Sequence, residues 1–98
     1  MPYMIQTVDK PHHQALRLKV RSEHLAFLEE RKHLLLAAGA RLVEGGDDAL
    51  GGLYILDVED RAEAERFIAA DPFTQAGLFT DIIITRWRKA FFNFENCL

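Results

Sequence analysis

Apolar positions along this chain switch between a period near two and a period near 3.6, and the switches outline an alternating set of strands and helices. Residues 3–8, YMIQTV, are apolar-rich and bounded by Pro2 and by Asp9-Lys10-Pro11, the pattern of a short strand. The stretch from His12 to Val20 reads either as a loop or as a short helical lead-in with Leu16 and Val20 on one side. From Ser22, taken as an N-cap, Leu25, Leu28, Leu35 and Leu36 recur at helical spacing until Gly39 offers a stop. ARLVEGG then predicts a strand ending at Gly45-Gly46, with a turn over 47–50 and a strong strand at GGLYILDV, residues 51–58. Asp60 opens a second helix with Glu63 as its capping-box partner, and Ala62, Ala64, Phe67 and Ile68 carry it to Ala70. AADPF breaks that helix, because the residue before a proline is pushed out of helical geometry. TQAGLF reads as a connector, FTDIIITRW at 79–87 as a closing β-branched strand, and FFNFENCL as a short aromatic tail able to cover an edge or a partner.

The predicted order, β-α-β-β-α-β, is the ferredoxin-like split arrangement: an α+β fold with a four-stranded antiparallel sheet and both helices on one face. Tyr3, Ile5, Tyr54, Leu56, Ile82 and Ile84 are too apolar to leave two sheet faces in water, and a second copy of the chain is the simplest cover. Ninety-eight residues leave room for one domain, with its core over about 3–89 and the tail over 90–98.

Composition narrows the classes. The chain is 49% hydrophobic and 28% charged, as folded domains are, with a net charge of −3 and mixed signs. That balance argues against nucleic acid as a partner, since phosphate contacts need a basic face. The RNA-recognition domain shares the element order, but neither YMIQTV nor GGLYILDV carries its aromatic and glycine-rich pattern. No stretch approaches the roughly 20 apolar residues that span a bilayer, and the N-terminus lacks a signal-peptide pattern, so the expected location is cytoplasmic.

Several chemistries are excluded by spacing. His12, His13, His24 and His33 include no HxxxH pair, and Cys97 stands alone near the end, so no metal site is expected. Ser22 is the only serine and sits in no nucleophile elbow, while the paired glycines flank a hairpin rather than cradle a phosphate. His24 is placed in the first turn of the long helix, where it is either an exposed helix residue or a general base reaching a cleft. A helix N-terminus there would disfavour the imidazolium and keep the ring able to accept a proton. Asp71 is on local grounds a helix terminator and turn cap with Pro72 behind it, and Phe73 is more naturally packing than a ligand-stacking ring.

RLKVRSEHLAFL, with R-x-x-H-L at residues 21–25, followed later by DPFTQAGL before the last strand, resembles the YciI-related family from Tyr3 to about Lys89. The resemblance implies a dimeric α+β barrel, a homodimer in which two such sheets pack face to face. It also implies that His24 and Asp71 meet in a cleft as a catalytic pair, and that relatives include dehydrochlorinases of chlorinated hydroxyquinones. Arg17 and Arg21 could then hold an anionic oxygen of a small-molecule ligand, or else form rim salt bridges. Nothing in such a scheme needs a metal or an organic cofactor. Two rivals stay open: a non-catalytic ligand-binding or structural homodimer with the same buried pair, and an oxygen-consuming monooxygenase of related fold.

Overall fold

The computed structural model describes all residues, 1–98. Strand β1 (Tyr3–Asp9) leads into helix α1 (Gln14–Glu30), followed by a 3-10 turn at Lys32–Leu34 and the hairpin β2 (Leu35–Leu42) and β3 (Ala49–Leu56). Helix α2 (Arg61–Ala70), the one-turn helix α3 (Pro72–Gln75) and strand β4 (Phe79–Arg86) complete the domain, and β5 (Phe91–Phe92) pairs with β6 (Glu95–Asn96) in the tail. The main sheet runs β2-β3-β1-β4 with every neighbour antiparallel. The ferredoxin-like α+β fold expected from the pattern is therefore the fold observed.

The first helix departs from expectation. It starts at Gln14 rather than Ser22, with His13 at the cap position and no side-chain cap, and it ends at Glu30 rather than near Gly39. Leu35 and Leu36, assigned by spacing to the helix, belong to β2, which begins five residues earlier than predicted. Ser22 lies mid-helix and exposed, so it caps nothing. Gly39 sits in a strand and lacks the positive φ of a helix-ending glycine, which falls instead at Gly45 in the turn and at Gly77 after α3. The β3 strand likewise opens two residues before the predicted Gly51.

The second half was written more plainly. The Asp60 carboxylate accepts from the Glu63 N–H, the cap that its spacing predicts. Glu63 reaches back to the Glu59 N–H, one residue outside the usual reciprocal contact.

The helices cover one sheet face, and the core between them joins Tyr3, Ile5, Tyr54 and Leu56 to Phe27, Val58, Ala64, Phe67 and Ile68. Strand pairing places Tyr3 opposite Leu56 and Ile5 opposite both Tyr54 and Ile84, so these residues share the helix face. The outer face consequently carries the alternate set, with Met4 opposite Ile55 and Gln6 between Leu53 and Ile83. This corrects the six residues expected to need a second copy: all of them point to the helix side, and Met4, Leu53, Ile55 and Ile83 line the open face instead. Leu53 and Ile83 are 36% and 47% exposed. No helix is long and apolar enough to cross a membrane.

Candidate active site

Beginning α1 eight residues earlier moves His24 from the first helical turn to nearly three turns inside it. The ring is therefore too far from a helix N-terminus to feel its field. The longer helix brings a different consequence. Arg17, Arg21, His24, Leu25 and Leu28 follow helical spacing and form one stripe along α1. All five line a cavity of about 190 Å³, closed on the other side by Ala38, Gly39 and Ala40 of β2, by Gly52 and Tyr54 of β3, and by Phe73.

The carboxylate comes from the junction of α2 and α3, far along the chain from His24 but packed against α1. Asp71 is both the last cap of α2 and the N-cap of α3, and its Oδ1 accepts from the Phe73 N–H at 2.9 Å. Pro72 at the first position of α3 fixes the chain there without needing a donor. Asp71 is wholly buried, and three donors converge on it: Phe73 N–H, the Tyr54 hydroxyl on Oδ2 at 2.9 Å, and His24 Nδ1 on Oδ1 at 2.9 Å. A carboxylate only accepts, so Nδ1 of His24 carries the proton that joins them. Nε2 is then the imidazole nitrogen without a partner in the chain, on a residue that lines the cavity.

Further contacts hold the ring in place. Phe73 stacks on His24 with centroids 4.0 Å apart and planes 16° from parallel, so the D-P-F segment supplies both a bond and a wall. Tyr54 meets His24 edge-on at 6.3 Å. A Cβ at Gly52 would lie 3.2 Å from the Tyr54 ring and from Thr7 Oγ1, so glycine leaves room for that ring beside the cavity. Burial above all, then the charge of Asp71 and the hydrogen bond to it, pushes the Tyr54 phenol far above its ordinary value.

The two arginines separate. Arg17 is clamped by Asp9 through Nε at 2.7 Å and Nη2 at 3.1 Å, and its guanidinium lies 4.7 Å above the Phe73 ring. Arg21 lies one turn nearer His24, is exposed, and has no acidic partner. His24, Asp71, Phe73, Arg17 and Arg21 are thus all brought to one cavity region. Sequence reasoning missed two participants: Tyr54, weighed only as a sheet residue, and Asp9, which occupies Arg17. Strand alternation from Leu56 could have placed Tyr54 on the helix face, but no local signal names its partner. No group of three or more His, Cys, Asp or Glu side chains is placed to hold a metal ion.

Comparison with known proteins gives the family and agrees with the fold. The model of the family described as the YCII-related domain matches residues 1–88. A Haemophilus influenzae protein described as uncharacterized is 33% identical over 98 residues, spanning 93% of this chain and all of its own. Protein YciI of Escherichia coli is 30% identical with the same coverage. Among solved structures, the 5-chloro-2-hydroxyhydroquinone dehydrochlorinase TftG of Burkholderia phenoliruptrix superposes with a TM-score of 0.85 at 34% identity, over 90% of this chain and 94% of that one. That protein was solved in complex with 2,5-dihydroxybenzoquinone.

Proposed function

This chain belongs to the YCII-related family, and from that premise we propose that it is a cofactor-independent proton-transfer enzyme acting on a small hydroxylated ring or similar anionic metabolite. One observation carries the reading. A wholly buried carboxylate binds Nδ1 of His24 at 2.9 Å and leaves Nε2 as the free nitrogen of a cavity-lining imidazole. Asp71 then fixes the tautomer and stabilises the imidazolium as it forms, while His24 is the general base. Phe73 walls the site beside the ring, Arg21 supplies a cation without an acid, and Arg17 adds a second, already paired charge. An apolar cavity of roughly 150 Å³ admits benzene, so about 190 Å³ suits a single substituted ring.

For a chlorinated hydroquinone, the chemistry balances without an oxidant. One phenolic proton passes through Nε2 to the ring carbon bearing chlorine, a second is removed, and chloride leaves with the C–Cl bonding pair. The net change is loss of HCl and formation of a quinone. The same reading places a second copy over Met4, Leu53, Ile55 and Ile83, where an uncovered apolar sheet face needs a partner.

A second reading, a ligand-binding or structural dimer, draws on the three donors that saturate Asp71 and tie α1, β3 and α3 together. Chloride release from 5-chloro-2-hydroxyhydroquinone under nitrogen separates the two. The enzyme reading expects one chloride per ring with no added cofactor, and loss of that activity in folded His24→Asn. Turnover that survives His24→Asn contradicts it. Inactivity of the wild type on chlorinated and unchlorinated hydroquinones, with no oxygen uptake in air, favours the binding module.

A further inference from the structure

We propose that Tyr54 is a positioning residue for the reacting base: its hydroxyl shares Asp71 with His24 and so sets how tightly the imidazole holds its proton. The geometry that supports this is a division of one carboxylate between two neighbours. Oδ2 takes the Tyr54 O–H at 2.9 Å, while Oδ1 takes His24 Nδ1 and the Phe73 N–H. Tyr54 itself makes no hydrogen bond to His24, and the two rings meet only edge-on. The influence of the Tyr54 hydroxyl on the base therefore runs through Asp71.

Its direction follows from electrostatics. Each donor to a carboxylate draws off part of the negative charge that would otherwise stabilise the imidazolium. With Tyr54 present, Asp71 is a weaker counter-ion, and His24 releases its proton more readily. Because Tyr54 is 3% exposed and Asp71 is wholly buried, little water competes for that bond. Burial and the neighbouring carboxylate hold the phenol protonated, so Tyr54 acts as a fixed donor rather than as an acid that enters the reaction.

Other charges near His24 are common to the wild type and Tyr54→Phe. They are Arg21 and Arg17 along α1 and Asp9 on β1, the last two joined to each other. A change in His24 titration on altering Tyr54 is for that reason a change in Asp71.

The inference rests on the proton-transfer reading for its consequence, but its test needs no substrate. Nitrogen-15 NMR titration of His24 is carried out on the free, full-length wild type and on Tyr54→Phe. The variant is expected to raise the His24 midpoint by about half a pH unit to one unit. Where Tyr54→Phe fails to fold, site-specific 3-fluorotyrosine at position 54 keeps the shape and makes a stronger donor, and the midpoint is then expected to fall. An unchanged midpoint in a folded variant, or a shift opposite in sign, overturns the proposal and leaves Tyr54 a structural contact only. Failure to find turnover would count against the enzyme reading and leave these midpoints as they are.

Discussion

The two faces of the same sheet, built from alternate residues of the same strands, meet opposite fates. On the helix side, Tyr3, Ile5, Thr7, Tyr54 and Leu56 are buried, and even the polar atoms find partners: Thr7 Oγ1 accepts from the Gly52 N–H and Tyr54 donates to Asp71. On the other side, Leu53 and Ile83 stay exposed on either side of Gln6, with Met4 and Ile55 in the next row. The first face is covered within one chain except at Ile82 on the edge strand β4, which stays exposed, and the candidate chemistry sits at its margin. The second is apolar without cover, which is the signature of a contact made by another molecule. A side chain's parity along a strand thus separates the face that this chain covers itself from the face that it leaves open.

That contrast can be broken from either side, and the helix face should respond most strongly. Replacing Asp71 by Leu leaves three buried donors without an acceptor, and denaturant unfolding is expected to show a loss of about 3–5 kcal/mol. A loss under 1 kcal/mol would mean that the three bonds are not formed together. Asp71→Asn keeps one acceptor, which at Oδ1 still serves the Phe73 N–H and His24 Nδ1, while its amide group faces the Tyr54 hydroxyl. On the proton-transfer reading it costs far less stability, yet turnover drops by about two to four orders of magnitude because the charge that stabilises the imidazolium is gone. Parallel stability and rate measurements on the one variant decide this.

On the outer face, Ile83→Asp is expected to abolish self-association in sedimentation velocity while the far-ultraviolet circular dichroism is kept. Association that survives the charge would move the contact elsewhere. The smallest effect concerns pH. The Tyr54 pKa is raised by folding from its ordinary 10.0, so above about pH 10 the unfolded chain loses this proton while the folded one keeps it. Stability from this group is complete below that pH and falls by about 1.4 kcal/mol per unit above it. Urea midpoints for wild type and Tyr54→Phe should therefore converge as the pH is raised from 9 to 11, and a constant gap would remove the buried phenol from the account.

Much of the second half was legible because its boundaries are set by local chemistry. Asp60 with Glu63, and Asp71 with Pro72, are signals that act over three residues and survive any tertiary context. The first half was misread for a physical reason too. Helix α1 begins at a histidine with no side-chain cap, just after His12 takes a left-handed φ of 61°, and no residue there announces a start. At its far end, Leu34, Leu35 and Leu36 satisfy helical and strand patterns alike, and packing rather than propensity assigns them to a 3-10 turn and a strand. The meeting of His24 with Asp71 was anticipated from the family resemblance. What spacing could not supply was the company the pair keeps, since Tyr54 is 17 residues from Asp71 and Asp9 is 8 from Arg17.

Asp71, on the proton-transfer reading, holds the proton of His24 on Nδ1 and frees Nε2 toward the cavity. Long-range proton–nitrogen correlation of the free protein, at a pH where the ring is neutral, reads the tautomer directly. The expected result is a protonated, pyrrole-type Nδ1 and a pyridine-type Nε2 for His24. A protonated Nε2 with a bare Nδ1 would contradict it.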